Sequence, residues 1–255
     1  MPFLKIRDIS LAYDDVGPRE APDTVVLLHG FSSNRNENWR RVGWLGAFER
    51  RRMRAIAFDL PGHGESDKPH DPAVYRIDVL TADVVAALDA LGVPSATLMG
   101  YSMGARLALA TALARPERFD RLILGGVGGK MFDAPPPGNP MADAMEAANV
   151  DAISDPLLKS FRMFADEQGE DLKALAAFAR ARSSGGYDKD DLARLHMPTL
   201  VVAGARDTLA GSPDDLAVEI PSGRSVTLPG CDHFSAIAHA LFKAAVFDFL
   251  EETAT

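Results

Sequence analysis

Residues 96–115 read ATLMGYSMGARLALATALAR. Ala96–Met99 is a short apolar run of the kind that forms a buried strand. Ser102–Arg115 is apolar nearly all round, with Met103, Leu107, Leu109, Leu113 and several alanines, and predicts a buried helix. Between them, Gly100 and Gly104 stand two residues either side of Ser102. The pattern G-x-S-x-G arises by chance in roughly one chain in ten of this composition, so the strand before it and the helix after it carry the weight. A strand that turns directly into a helix leaves no room for side chains at the two glycines. It also holds the central serine in a strained conformation with its hydroxyl exposed at the sheet edge.

On either side of this stretch, Val25–Leu28, Ala55–Phe58, Leu122–Leu124 and Leu200–Ala203 are further strand candidates, with Val226–Leu228 a weaker one. Helical patterns lie between most of them. From Ile77 to Leu91 the apolar positions 77, 80, 84, 87, 88 and 91 mark one face of a helix. The alternation predicts an α/β fold, a mostly parallel central sheet of about eight strands with helices on both faces. Phe3–Ile6 and Leu11–Tyr13 read instead as an antiparallel hairpin at one edge. The rhythm breaks after GGVGGK (125–130) and the proline cluster APPPGNP (134–140), and resumes at MPTLVVAG (197–204). The segment between is helix-like with no strand candidate. Residues 1–129 and 194–255 are therefore expected to form the core, and 130–193 an inserted helical cap. The other reading is further helices packed on the core.

The chain has 255 residues, 47% hydrophobic and 25% charged, which excludes wholesale disorder and allows one large domain or one domain with an insertion. A net charge of −9 argues against a nucleic-acid partner, which needs a basic face to neutralise phosphate. The one cysteine, Cys231, cannot pair internally and fits a reducing compartment. Charges at Lys5, Arg7 and Asp8 interrupt any apolar run of secretory type, and no stretch approaches a membrane span, so a cytoplasmic setting is expected. No His, Cys and Asp cluster has metal-ligand spacing, and GGVGG at 125–129 lacks the ending of a phosphate loop. Neither a metal nor any other cofactor is expected.

An exposed serine acts as a nucleophile only beside a base. Of six histidines, His233 follows Val226–Leu228 in the loop PGCDHF, where it can reach back over the carboxyl ends of the strands. His239 falls inside a helical segment, His196 precedes a strand, and His70 sits in a proline-rich loop. The base needs a carboxylate to fix its tautomer. Asp207 follows Leu200–Ala203 in GARDTL and fits; Asp232 is adjacent to His233, and Asp214 and Asp215 start a helix. An oxyanion hole would use the N–H of Met103 and that of Phe31 in the loop after Val25–Leu28. Gly30 lets backbone approach a substrate closely there, and His29 reads as a structural histidine. Tyr101 and Trp39 are candidate substrate contacts; core packing accounts equally well for Trp39 and Trp44. Arg106 reads as an ion-pair residue and Cys231 as buried filler.

These residues resemble the α/β-hydrolase-fold family, in its serine-nucleophile branch, over nearly the whole chain. HGF at 29–31 is similar to the family's oxyanion loop, DLPGHGES at 59–66 to its next turn, and GYSMG at 100–104 to its nucleophile elbow. GARD at 204–207 and the Asp-His pair at 232–233 are similar to its acid and base loops. The cap carries no such signature. The resemblance implies a cofactor-independent serine hydrolase with the triad Ser102, Asp207 and His233, acting on a small to medium carboxylic ester or lactone. Serine at 102 disfavours the aspartate-nucleophile branches. Two rivals remain: a C–C bond hydrolase or menaquinone-pathway-type lyase with the same triad, and a non-catalytic small-molecule receptor that retains the fold.

Overall fold

Leu28 and Gly100 are register partners at the centre of a sheet, so the runs 25–28 and 96–99 lie side by side. The structure is a computed structural model that describes residues 2–134, 136–181 and 188–254. Its strands are β1 (Phe3–Ile6), β2 (Ile9–Val16), β3 (Thr24–Leu28), β4 (Arg54–Phe58), β5 (Ala96–Tyr101), β6 (Phe119–Gly125), β7 (Thr199–Gly204) and β8 (Gly223–Leu228). Among the described residues they form one eight-stranded sheet in the order β1-β2-β4-β3-β5-β6-β7-β8. The β1–β2 and β2–β4 pairs are antiparallel and every other pair is parallel. The hairpin edge and the parallel body match the sequence expectation.

The helices are α1 (Trp44–Arg50), α2 (Ile77–Ala90), α3 (Met103–Ala114), α4 (Pro140–Glu146), α5 (Pro156–Gln168), α6 (Leu172–Arg180), α7 (Lys189–Leu192), α8 (Pro213–Ala217) and α9 (Ala240–Glu252). Strand pleating sends alternate side chains to opposite faces. Val26 and Leu28 pack with α2, α3 and α8, whereas Val25 and Leu27 pack with α1 and α9. On the second face Trp44 stacks on Phe48 and meets Phe242 edge-on, and all three are fully buried. Each such ring contributes about 1.5–3 kcal/mol by leaving water.

The chain runs from β3 to β4 on one side, then crosses to β5 on the other. The sheet therefore has its switch point between β3 and β5, and the crevice beyond their carboxyl ends is where α/β sheets bind ligands. The loop after β3 and the turn after β5 both open there.

Between β6 and β7 no strand occurs among the described residues. Instead α4, α5 and α6 share a small core of their own, which includes Met145, Phe161, Ala165 and Leu175. Ala177 and Phe178 of α6 join the main core, with Phe178 against Tyr75. Within the expected cap, residues 135 and 182–187 lie outside the described residues. No described helix is long and apolar enough to cross a membrane.

Candidate active site

Ser102 sits between β5 and α3 at φ 54° and ψ −110°, a conformation in which side-chain-bearing residues are strained. A Cβ on Gly100 would lie 2.2 Å from the Gly104 carbonyl oxygen, and one on Gly104 would lie 2.1 Å from the Leu28 carbonyl oxygen. The glycines are thus required by backbone packed within collision distance. Met103 is the first residue of α3, so its N–H has no acceptor within the helix and is available to a ligand.

His233 Nε2 lies 2.9 Å from Ser102 Oγ, and His233 Nδ1 lies 2.8 Å from Asp207 Oδ2. The other Asp207 oxygen accepts the N–H groups of Leu209 and Ala210 at 3.0 and 2.9 Å. A carboxylate oxygen accepts, so Nδ1 carries the hydrogen and Nε2 is left to accept from the serine. The three residues expected from sequence are brought together, 105 and 131 positions apart along the chain from Ser102. Asp232 instead accepts the Ser235 hydroxyl and N–H, and its carboxyl is held below the usual range by those bonds. The Tyr101 phenol donates to the His233 carbonyl at 2.6 Å. Burial, and then Asp207 and Asp232, push that phenol well above its ordinary range.

The loop after β3 is anchored from behind. His29 Nδ1–H donates to the Gly30 carbonyl at 2.8 Å, and Nε2 accepts the Leu60 N–H at 2.9 Å. Both ring nitrogens are committed, and burial holds the imidazole below its ordinary pKa, so His29 is structural. Gly30 N–H donates to Asn38 Oδ1 at 2.8 Å. Asn38 is a residue that sequence reasoning missed: it stands in the polar run NRNEN, where nothing in the spacing marks one residue. Beneath the loop, Asp59 accepts the Arg35 N–H at 2.7 Å and the Glu65 N–H at 2.8 Å, and pairs with the Arg35 guanidinium. The Ser66 hydroxyl donates to the Asp59 carbonyl at 2.6 Å. The turn DLPGHGES is a scaffold for the crevice.

A cleft of about 480 Å³ opens over these groups, lined by Gly30, Phe31, Tyr101, Ser102 and His233. One face of α5, with Ser160, Phe161, Met163, Phe164 and Glu167, forms its roof, and Phe234 and Ile237 close one side. Trp39 corrects the sequence expectation. It lies fully buried, edge-on to Trp44, and does not line the cleft. The helical turn Asn36–Arg40 points it into the core while Asn38 faces the cleft. A larger cleft of about 690 Å³ lies between residues 70–72 and α4–α6, away from Ser102.

The remaining candidates lie outside the cleft. Cys231 is buried in the core. His239 accepts the Leu241 N–H at the start of α9, and His196 is exposed. His70, on the proline-rich loop, has its Nε2 3.0 Å from Asp171 Oδ2. Among the described residues no group of three or more His, Cys, Asp or Glu side chains could hold a metal ion.

Comparison with known proteins gives consistent results. The sequence profile of a family described as alpha/beta hydrolase fold matches residues 23–154. The chain is 34% identical over 230 residues to a dihydrolipoyllysine-residue acetyltransferase component of an acetoin cleaving system from Pseudomonas putida. That match covers 84% of this chain and 59% of the longer relative. It is 32% identical over 249 residues to a 2-hydroxymuconate semialdehyde hydrolase from Pseudomonas sp. (strain CF600), covering 89% of this chain and 87% of the relative. The crystal structure of the enol-lactonase from Burkholderia xenovorans LB400 superposes with a TM-score of 0.82 at 26% identity, covering 98% of this chain and all of that one (100%).

Proposed function

Because the chain belongs to the alpha/beta hydrolase family and is an enzyme, we propose that it cleaves a small to medium carboxylic ester or lactone through an acyl-enzyme on Ser102. The observation that carries this reading is the continuous contact from Asp207 through His233 to Ser102, at 2.8 and 2.9 Å. His233 Nε2 accepts the serine proton as Oγ bonds to the substrate carbonyl carbon. The C=O pair moves onto oxygen, which accepts the N–H groups of Met103 and Phe31. Asp207 holds the imidazolium and its orientation. Collapse breaks the C–O bond to the alcohol, which leaves with the proton from Nε2. Water then gives a proton to Nε2 as its oxygen bonds to the acyl carbon, the acyl–Oγ bond breaks, and Oγ takes the proton back from Nε2 as the acid is released.

Residues 130–193 act as a cap in this reading, supported by the α5 face over the cleft and by the separate core of α4, α5 and α6. The substrate is a small molecule. A cytoplasmic location goes with the unpaired, buried Cys231.

A second reading, hydrolysis of a C–C bond in a vinylogous diketone, is favoured by the near full-length similarity to the semialdehyde hydrolase. Intact mass after treatment with a fluorophosphonate probe tests the shared nucleophile. One adduct is expected on the wild type and none on Ser102→Ala. Turnover of simple esters or lactones then supports the first reading, and turnover of the diketone with inert esters selects the second. A folded wild type with no adduct overturns both.

A further inference from the structure

The charges around the cleft are unequal. Among the described side chains that line it, Arg41 is the one guanidinium or ammonium group, and its Nε lies 2.7 Å from Glu37 Oε2. That pair cancels. Glu167, on the exposed edge of α5, also lines the cleft, and its carboxylate has no ion pair or hydrogen bond with any described residue. Beneath the floor stands the Asp207 carboxylate, its side chain wholly buried. Burial first, and then Asp207 and Asp232, push the Tyr101 phenol up. Lys243, a cation nearby, turns to the Ala238 carbonyl at 3.1 Å and the Trp44 ring, and does not line the cleft. The remaining wall carries no charged group: Phe161, Phe164, Phe234 and Ile237 are apolar, and Ser33, Asn38 and Ser160 are uncharged. A substrate carboxylate entering here would lose water and meet a negative field with no uncommitted cation to receive it.

We propose that this site takes uncharged esters or lactones with an apolar acyl chain, rejects substrates that carry a carboxylate, and owes part of that rejection to Glu167. The inference rests on the hydrolase reading of the same cleft. Specificity of this kind comes as much from the repulsive group as from the attractive wall.

The test compares two chromogenic esters of equal chain length, p-nitrophenyl hexanoate and the mono-p-nitrophenyl ester of adipic acid, at neutral pH. The ratio of kcat/KM, uncharged over anionic, is expected to be about ten or more in the wild type, and to shrink as added salt screens the field. In Glu167→Lys the ratio is expected to fall about five-fold, the size of effect that reversing one half-screened charge produces. Glu167→Gln should fall between the two. A wild type that prefers the adipate ester, or a ratio unmoved in Glu167→Lys, overturns the proposal while leaving ester hydrolysis intact. If neither ester is turned over and the fluorophosphonate leaves no adduct, the hydrolase reading itself falls and takes this inference with it.

Discussion

The Tyr101 hydroxyl donates to the main-chain carbonyl of His233 at 2.6 Å, so the residue before the serine holds the loop that delivers the imidazole. Both residues are buried, with ring centroids 5.6 Å apart. Tyr101→Phe keeps the ring and removes the donor, leaving a buried carbonyl unpaired at a cost of about 1–3 kcal/mol. The expected outcome is a folded variant with a lower urea midpoint and a kcat reduced about ten-fold at little changed KM, because the base is displaced while the cleft walls stay. A kcat equal to wild type, at the same loss of stability, would show the bond to be structural only.

The elbow makes a prediction that runs against the usual direction of mutation. Ser102 at φ 54° and ψ −110° is strained, whereas glycine occupies that region freely. Ser102→Gly should therefore exceed Ser102→Ala in stability by about 1 kcal/mol, although both abolish turnover. Gly104→Ala should cost more than about 3 kcal/mol or prevent folding, because its Cβ meets the Leu28 carbonyl oxygen at 2.1 Å. Thermal melts of the four proteins provide the check. Equal melting temperatures for Ser102→Gly and Ser102→Ala would mean that the backbone there is relaxed.

These positions were legible in sequence because their constraint is local. A strand, the tight turn at Ser102 and a helix fix where Gly100, Ser102 and Gly104 must go, and loops after later strands bring Asp207 and His233 to the same edge. What stayed hidden depends on contacts far along the chain. β2 extends through Asp14 and Asp15 to Val16, where only Leu11–Tyr13 read as a strand. Its two aspartates look like a solvated turn until Arg40 and Arg54 are seen to pair with them. Trp39 and Asn38 are chain neighbours with opposite fates, and only the direction of one helical turn decides which reaches the cleft. The partners of Glu170 stand 136 and 106 positions upstream, beyond any spacing rule.

Asn38 should act as a positioning residue. Its Oδ1 accepts the Gly30 N–H and so fixes the loop that presents the Phe31 N–H. In Asn38→Ala the Gly30 N–H loses its acceptor, and kcat is expected to fall about 10²-fold, the range for disturbing one oxyanion donor. Asn38→Asp retains an acceptor oxygen and should recover most of that loss. Recovery by aspartate distinguishes positioning from packing, and failure of Asn38→Asp to improve on Asn38→Ala would remove the role.

Stability should fall on mild acidification because of two buried histidines. His29 and His63 are fully buried with rings 5.1 Å apart, and burial holds His63 well below its ordinary pKa and His29 below it. The unfolded chain takes up these protons near pH 6.5 and the folded chain resists them. Between the lowered folded values and about pH 6.5 the unfolded state binds more protons, so stability rises with pH there and is lost as pH falls. The slope is at most about 1.4 kcal/mol per pH unit for each histidine. Urea midpoints from pH 7.5 down to pH 5.5 should decline in the wild type and less steeply in His63→Phe, which meets the same Phe31 and Phe178 rings. Parallel curves would place the acid sensitivity elsewhere.

A buried carboxylate anchors the helices between β6 and β7 beside the cleft. Glu170, between α5 and α6, is buried, and its carboxylate accepts the Gly64 N–H at 2.9 Å and the Asn34 side-chain amide at 3.2 Å. Those partners stand on the loops after β4 and β3, so one carboxylate ties the roof to two neighbouring loops on one side of the switch point. Burial pushes its carboxyl up, and the two donors oppose that shift. Asp171, the next residue, meets His70 at 3.0 Å on the exposed rim. Rim pairs of this kind contribute about 0–1 kcal/mol, so the buried carboxylate is the stronger tie. Glu170→Ala leaves the Gly64 N–H and the Asn34 amide unpaired, at a cost of about 1–3 kcal/mol. That loss falls on the docking of α5 rather than on β3 or β5. Amide exchange should therefore quicken across Pro156–Gln168 while the central strands keep their protection. KM should rise several-fold, because Phe161 and Phe164 no longer meet the substrate as a fixed wall. The contact between Ser102 and His233 involves no atom of the roof, so kcat should move less than KM. Asp171→Asn, by the same argument, should change both only slightly. A Glu170→Ala enzyme whose kcat falls at constant KM would mean that the carboxylate supports the core loops and not the roof.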